Sequence, residues 1–190
     1  PSQLLAKAPD RPAVAAMARE ALHRQVDHMA RLLDDLLEAS RITHGMVQLR
    51  KERVNVIEAV NAAVETARPQ IDARRHRLVL HFTDAAPYIE ADRLRLTQIV
   101  WNLLSNAAKY TESGGAIEVR VRIEGDQAVI IVADNGIGIA PEMLTQVFEM
   151  FSQATPALQR SEGGLGIGLS LVRGLVHLHG GSVEARSAGP

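Results

Sequence analysis

Apolar side chains recur at helical spacing along the first quarter of the chain. Between about Ala13 and Thr43 they advance in steps of four and three, at Leu22, Val26, Met29, Leu33 and Leu36. Such steps are typical of a coiled coil or a helical bundle. A single helix cannot bury this stripe alone, and no second bundle helix follows in the sequence. We expect a partner helix from another segment or a second copy, the alternative being a helix packed on its own domain.

From Val47 onward the pattern switches repeatedly between alternation and helical spacing. It predicts helices at 56–73, 92–111 and 169–179, a short helical stretch from Pro141, and strands at 47–54, 77–82, 88–89, 117–123 and 128–133. Gly125-Asp126 is typical of a hairpin turn between the last two strands. This order predicts an α/β fold, a two-layer sandwich with helices on one face of a mixed sheet.

The helix predicted at 92–111 begins at Asp92 as its N-cap and carries an unusual polar edge. Asn102 and Asn106 lie one turn apart on that edge, and Lys109 follows them. An ordinary solvated face is the simpler interpretation, but asparagine is a poor helix former because its amide competes for the backbone. Two amide oxygens and an ammonium in a row suit a hydrated cation and a phosphate chain.

The segment Asp134-Asn-Gly-Ile-Gly follows directly on a predicted buried strand. Asp-Asn-Gly alone is typical of a hairpin turn, yet no strand follows it here. A carboxylate at a strand end, with Gly136 and Gly138 allowing backbone to come close, suits recognition of an amino group on a flat ring. Adenine is the obvious candidate.

A glycine run, Gly163-Gly-Leu-Gly-Ile-Gly-Leu-Ser, leads into the helix predicted at 169–179. Backbone amides at a helix N-terminus form an anion site, although such runs also occur as plain turns. The polar stretch 152–163 predicts a lid rather than a strand, which excludes a Rossmann motif, and the P-loop spacing is absent. His177 and His179 are expected to complement the C-terminus of that helix.

Composition narrows the possible partners and location. The 21 basic and 22 acidic residues give a formal net charge of -1, so no bulk positive field for nucleic acid is expected. The absence of cysteine excludes disulfides and thiolate zinc sites. No apolar run is long enough to span a bilayer, so we expect no membrane contact by this segment. The absence of cysteine suits a reducing compartment, and we expect a cytoplasmic location, with a membrane-anchored parent protein left open. Because Pro1 is not a native start, we also expect a segment of a longer protein.

Four motifs together resemble the ATP-binding catalytic domain of sensor histidine kinases, in the gyrase/Hsp90/histidine kinase/MutL ATPase superfamily. The segment Asn102-Leu-Leu-Ser-Asn-Ala-Ala-Lys-Tyr-Thr resembles the N box of that family, and Asp134-Asn-Gly-Ile-Gly resembles its G1 box. The F box is similar to Phe148-Glu-Met-Phe151, and the G2 box to Gly164-Leu-Gly-Ile-Gly168. One motif alone would be weak, but four in order are specific. The resemblance covers about residues 14–189 and implies the Bergerat ATP-binding fold.

The resemblance also implies which residues bind ATP and Mg²⁺. Asn106, with Asn102 beside it, would coordinate Mg²⁺, and Asp134 would bind the adenine amine. Catalytic roles would fall to Asn102, Lys109 and Arg160, the last as the cation of the lid, since Gln153 stands where many relatives carry arginine. The full nucleotide-binding set would be Asn102, Asn106, Lys109, Tyr110, Asp134, Gly136, Gly138, Phe151, Gly164, Leu165, Gly166 and Gly168.

The N-terminal helix resembles the second helix of the family's dimerisation and phosphotransfer hairpin. Residues 1–46 would then be a linker and this helix, and residues 47–190 the ATP-binding domain. The resemblance implies a homodimer through the helical arm and a response-regulator receiver domain as partner. The phosphoacceptor motif does not occur at His23 or His28, so we expect the first helix of the hairpin to be missing. We also expect the sheet to lack the last strand that relatives form beyond Gly189.

The expected reaction is donation of the γ-phosphoryl group of Mg²⁺-ATP to a histidine on the dimerisation domain, for relay to a receiver aspartate. Hydrolytic relatives such as gyrase place glutamate where Asn102 stands, and an amide cannot take a proton from water. Two alternatives are a degenerate module that only dimerises and docks a receiver, and a hydrolytic ATPase of the same superfamily.

Overall fold

The N-terminal periodicity forms one long helix. In the computed structural model, which describes residues 12–83, 87–152 and 166–189, helix α1 spans Pro12–Thr43. It ends in a Schellman motif, because Gly45 adopts a φ of 66° and its N–H donates to the carbonyl of Ile42 at 3.0 Å. The N–H of Met46 completes the motif by donating to the carbonyl of Arg41 at 2.8 Å.

The chain divides into two compact units, Pro1–Glu38 and Ala39–Pro190, and α1 contributes to both. In the first unit the predicted helix is confirmed, and apolar residues on and beside its stripe are more than half exposed: Val26, Met29, Leu33 and Leu37. This is the surface for which the sequence predicts a partner helix. Over the described ranges, no helix is both long and apolar enough to cross a membrane.

The described part of the second unit interleaves strands and helices. Its strands are β1 (Glu52–Asn55), β2 (Arg77–Phe82), β3 (Tyr88–Ala91), β4 (Ala116–Glu124) and β5 (Gln127–Asp134). Its helices are α2 (Val56–Ala73), α3 (Arg93–Tyr110) and α4 (Gly168–Leu178), with a short 3₁₀ helix at Pro141–Met143. Strand β4 pairs in parallel with β2 and antiparallel with β5, while β1 and β3 form a separate antiparallel pair. The mixed α/β architecture is therefore confirmed.

The helices cover one face of the three-stranded sheet. Along β4 the side chains of Ile117, Val119 and Val121 are buried against residues of α2 and α3 in one core. Glu118 and Arg120, which alternate with them, belong to the opposite and more exposed face. Burying a valine or isoleucine side chain fully contributes roughly 1.5–3 kcal/mol to the stability of the fold. Since the apolar side chains of β4 all lie on one face, burying them determines which face of the sheet the helices cover.

The strand predicted at 47–54 is wrong over most of its length. Strand β1 begins only at Glu52, and residues 46–51 form no regular structure. The backbone N–H of Arg50 donates instead to Oδ2 of Asp92 at 3.0 Å, so this donor is not available to a neighbouring strand. The same carboxylate accepts the N–H of Arg95 through Oδ1 at 3.2 Å, which confirms Asp92 as the N-cap of α3.

A second, smaller core joins α4 to α3 and to the last turn of α1. Ile99 of α3 and Ile42 of α1 pack against three buried residues of α4, which are Leu171, Val172 and Leu175. Gly174 makes room for Ile42, since a Cβ on that glycine would lie 2.6 Å from Ile42 Cγ2. These contacts fix the position of α4, and with it the glycine that begins this helix.

Candidate functional site

Asn102 is the buried member of the polar edge of α3. Only 7% of its surface is exposed, and its Nδ2 donates to the carbonyl of Gln98 at 3.0 Å. An asparagine whose amide nitrogen is engaged in this way still offers Oδ1 as an acceptor or metal ligand. The Oδ1 atom lies next to Gly168, where an ideal Cβ would be 3.1 Å away.

Gly168 brings the glycine run against α3. As the first residue of α4, it lies so close to the two asparagines that a Cβ would meet Asn102 Oδ1 at 3.1 Å and Asn106 Nδ2 at 3.8 Å. The preceding residue, Ile167, makes no side-chain capping bond to the helix. The first-turn N–H groups of α4 have no intrahelical acceptor, and the helix begins next to the side-chain amides of Asn102 and Asn106. Positive helix-end amides next to amide oxygens suit a phosphate group together with its cation.

Asp134 ends β5 and enters a turn that closes against the last residue of α3. The N–H of Gly136 donates to Asp134 Oδ1 at 2.9 Å, and the N–H of Ile137 donates to the carbonyl of Tyr110 at 3.2 Å. A Cβ on Gly136 would lie only 2.4 Å from that carbonyl oxygen, so the turn requires glycine there. A carboxylate has about four acceptor positions, so Asp134 retains capacity for an amino group of a ligand. As the sequence indicates, no strand follows this turn directly.

Lys109 and Tyr110 form the end of α3 nearest to this turn. The ammonium of Lys109 lies 4.8 Å from the centre of the Tyr110 ring, within the range of a cation–π contact. The guanidinium of Arg74 donates to the carbonyl of Lys109 at 3.1 Å and complements the negative end of the helix. Arg74 is not among the residues predicted from the sequence. Its position 35 residues upstream of Lys109 gives no local signal of the contact.

The segment around Phe148 lies beside the glycine run. Phe148 is buried, whereas Phe151 is 60% exposed and has a φ of 65°, which is uncommon for a residue other than glycine. The N–H of Phe151 donates to the carbonyl of Gly166 at 3.1 Å. A Cβ on Gly166 would lie 2.6 Å from the carbonyl oxygen of Ser152, so the two stretches are in direct backbone contact.

Glu149 and Arg173 form an ion pair that the sequence does not predict. Arg173 NH1 lies 2.7 Å from Glu149 Oε1, and this charged hydrogen bond holds the pKa of the Glu149 carboxyl below its ordinary value. Arg173 belongs to α4, and Glu149 lies between the two phenylalanines of the F-box-like motif. The charges are 24 positions apart, and no periodicity links them.

The predicted site is elongated along α3. From Asn102, beside Gly168, to Tyr110, beside the Asp134 turn, the helix rises about 12 Å. The arrangement suits a ligand with a polar ring at one end and phosphate groups at the other. Gly138 lies in the turn beyond Gly136, with a φ of 71°. The remaining predicted site residues, Arg160, Gly164 and Leu165, lie outside the described residues.

The oxygens available near Gly168 fit Mg²⁺ bound with a phosphate chain. Across the ranges 12–83, 87–152 and 166–189, no cluster of three or more His, Cys, Asp or Glu residues could hold a metal. Mg²⁺ usually keeps several waters and binds one or two protein oxygens together with substrate phosphates. Asn102 can supply Oδ1, the atom nearest to the Cβ position of Gly168, whereas Asn106 presents Nδ2 to that position and can supply its own Oδ1 from the same helix edge.

Comparison with known proteins points to one family. A sequence profile of the family described as "Histidine kinase-, DNA gyrase B-, and HSP90-like ATPase" matches residues 91–189. The chain is 35% identical over 170 residues to the circadian input-output histidine kinase CikA of Synechococcus elongatus, covering 88% of the chain and 22% of CikA. It is 38% identical over 168 residues to the histidine protein kinase DivJ of Caulobacter vibrioides, and this match covers 88% of the chain and 28% of DivJ. The chain therefore spans less than a third of each relative.

A solved structure has the same fold. The crystal structure of full-length ShkA in complex with AMPPNP matches with a TM-score of 0.75 at 26% identity, over 97% of this chain and 39% of that one.

Proposed function

Because the chain belongs to the family of histidine kinase-, DNA gyrase B- and HSP90-like ATPases, we propose that it is the catalytic part of a sensor histidine kinase. In this proposal it binds Mg²⁺-ATP and donates the γ-phosphoryl group to a histidine of the dimerisation domain, for relay to a receiver aspartate. The observation that carries the proposal is the position of Gly168, whose helix N-terminus lies directly against Asn102 and Asn106.

Asp134 and the turn after it would bind the base. The carboxylate would accept a hydrogen bond from the exocyclic amine of adenine, and Gly136 allows the turn to close on the carbonyl of Tyr110. Tyr110 and Lys109, at the end of α3 nearest to this turn, would contact the phosphates or the edge of the nucleotide. Gly138 and Phe151, which flank the site, would complete the nucleotide-binding surface together with Gly164, Leu165 and Gly166.

Asn102 and Asn106 would hold the metal end of the ligand. Mg²⁺, when bound there, supplies positive charge that neutralises the phosphate oxygens during transfer. The first-turn N–H groups of α4 would orient the same phosphates, and Lys109 would add a further positive charge. Arg160 is proposed as a second cation from the lid. Most of the barrier reduction in such a reaction comes from positioning and charge.

Asn102 favours transfer to a protein side chain over hydrolysis. A hydrolytic relative needs a general base for water, and the amide of Asn102 cannot take that proton. Its Nδ2 is moreover committed to the carbonyl of Gln98. A degenerate, non-catalytic module is the less favoured alternative, because Asn102, Asn106 and Lys109 lie on the same helix and the turn after Asp134 contacts the end of that helix.

The parent protein is proposed to work as a homodimer with a response-regulator receiver domain as partner. The support for a dimer is the exposed stripe on α1, with Val26, Met29 and Leu33 more than half exposed. By function we divide the chain into residues 1–46, a linker and the second helix of the dimerisation hairpin, and residues 47–190, the ATP-binding domain. Binding of AMPPNP by ShkA supports the choice of an adenine nucleotide.

Isothermal titration calorimetry of the chain with Mg²⁺-ATP tests the nucleotide site. Asn106→Ala removes a metal ligand and Asp134→Ala removes the acceptor for the adenine amine, so each should weaken binding at least about ten-fold, equivalent to about 1.4 kcal/mol. Matched controls are Asn61→Ala on the exposed face of α2 and Asp126→Ala in the hairpin turn, which should leave the affinity unchanged. Unchanged affinity in both site variants would refute the assignment.

Transfer is measured separately with γ-labelled ATP. The chain mixed with a sensor-kinase dimerisation hairpin should place acid-labile, base-stable label on the hairpin. Fast release of phosphate without label on the hairpin would favour the hydrolytic alternative, and nucleotide binding with neither product would favour the degenerate module.

A further inference from the structure

Two oppositely charged residues on either side of the glycine run are joined in space. Arg173 NH1 lies 2.7 Å from Glu149 Oε1, although the stretch 153–165 separates their two segments in sequence. Their side chains are 37% and 59% exposed, respectively, so the pair lies at the surface. A contact of this kind is too weak to determine the fold, because water and salt screen the attraction between exposed charges. The pair is nevertheless placed to restrain α4, because it joins this helix to the segment before the glycine run.

Two backbone contacts join the same segments. The N–H of Phe151 donates to the carbonyl of Gly166 at 3.1 Å, and Gly166 approaches the carbonyl of Ser152 too closely to carry a side chain. Buried Phe148 anchors the first segment to the domain. Residues 149–152 and 166–173 therefore form one junction, and the ion pair closes its outer side.

The junction controls where α4 begins. Arg173 is five residues after Gly168 on the same helix, so the two Cα positions are about 7.5 Å apart along the axis. Leu171, Val172 and Leu175 hold α4 against α3 through apolar contacts, which are not directional. The charged hydrogen bond to Glu149 is directional, so it restrains rotation and sliding of the helix. Any such movement would displace Gly168 from Asn102 and Asn106.

We propose that Arg173 and Glu149 are positioning residues that set the phosphate end of the nucleotide site, an inference that rests on the function proposed above. In this proposal they contact neither ligand nor metal but restrain the N-terminus of α4 beside α3, where the triphosphate would bind. The other end of the site, the Asp134 turn, is joined to Tyr110 rather than to α4. Loss of the pair therefore weakens binding of ATP and leaves binding of adenosine unchanged.

The test compares ATP and adenosine by calorimetry for the wild type, Arg173→Gln, Glu149→Gln and the charge swap Glu149→Arg with Arg173→Glu. Each single variant should bind Mg²⁺-ATP about two- to five-fold more weakly, as expected for one partly exposed pair. The swap should bring the affinity back to within about two-fold of the wild type. Adenosine affinity should stay the same in all four chains. Arg120→Gln, which breaks a surface pair with Glu118 on the outer sheet face, should change neither affinity.

Two sets of results overturn the inference. If the single variants bind ATP like the wild type, or lose ATP and adenosine equally, the pair has only a structural role. If the swap does not restore binding, the two residues do not act as a pair. A different result would contradict the proposed function of the site itself. In that case the wild type would bind no ATP, or Asp134→Ala would bind ATP as well as the wild type does.

Discussion

The backbone N–H of Asp92 donates a hydrogen bond to Nε2 of His179 at 3.0 Å, joining the start of α3 to the end of α4. Because Nε2 accepts, the ring proton is on Nδ1, which lies 2.8 Å from the carbonyl of Leu175 and donates to it. His179 therefore complements the C-terminus of α4, as the sequence predicts, and also connects the two helices that line the site. The sequence gives no indication of this second role.

Substitution of His179 should lower stability through the loss of both hydrogen bonds. We expect His179→Ala to reduce the free energy of unfolding by about 1–3 kcal/mol, the sum of two bonds of about 0.5–1.5 kcal/mol each. Urea unfolding followed by circular dichroism measures the change. His177→Ala is the matched control, because His177 is exposed in the same turn and should cost less than about 0.5 kcal/mol. Equal losses in the two variants would contradict the bridging role.

Asp92 should make stability depend on pH in the acid range. Burial raises the pKa of its carboxyl, but hydrogen bonds from the backbone N–H groups of Arg50 and Arg95 and the charge of Arg95 together lower it below the ordinary value of 3.8. A carboxyl with a lowered folded-state pKa stabilises the fold above its unfolded pKa. That contribution disappears as the pH falls through the folded value.

The comparison that isolates this effect is wild type against Asp92→Asn in urea at several pH values. Asparagine also caps a helix, but its amide lacks the second acceptor oxygen that binds the N–H of Arg50. The wild type should therefore be more stable by about 0.5–1.5 kcal/mol at pH 7, and the difference should shrink below pH 4. Asp126→Asn in the hairpin turn provides a control for substitution of an exposed carboxylate. A difference that is constant from pH 7 to pH 3 would rule out the charge of Asp92 as its source.

Two glycines of α4 should respond oppositely to alanine. Gly168→Ala places a Cβ 3.1 Å from Asn102 Oδ1, so we expect ATP affinity to fall about ten-fold while stability holds or rises, since alanine favours helix. Gly174→Ala places a Cβ 2.6 Å from Ile42 Cγ2, so we expect a stability loss of about 1–3 kcal/mol with ATP affinity retained. Calorimetry and urea unfolding of both variants separate the two effects. A common loss of stability in both, with unchanged binding, would remove Gly168 from the site.

The elements that the sequence predicted well are those encoded locally. Helix α3 has its cap at Asp92 and an apolar stripe through Leu96, Val100 and Leu104, all within one 20-residue stretch. The β4–β5 hairpin follows from the alternation at 117–123, the apolar run at 128–133 and the turn between them at Gly125, whose φ is 63°. The turn after Asp134 is also predicted locally, because Gly136 and Gly138 indicate that the backbone comes close to another segment there.

The features that the sequence did not predict depend on distant partners. The alternation at 47–51 is typical of a strand, but the N–H of Arg50 is bound by Asp92, 42 positions away. The contact between Asp92 and His179 spans 87 positions. Opposite charges such as Glu149 and Arg173 are common, so nothing in the sequence alone selects this pair. In each case one side chain or backbone group meets another only after the helices have packed.

Ile42 belongs by sequence to the helical arm and by packing to the ATP-binding unit. A chain that began at Gly45, where the helix ends, would lack Ile42. The space beside Gly174 that Ile42 fills would then be empty, and part of the core around Leu171 and Leu175 would be open to water. The second compact unit accordingly begins at Ala39 and includes this last turn of the helix. The last turn of α1 therefore belongs to the core of the second unit, although it is continuous with the helical arm in sequence.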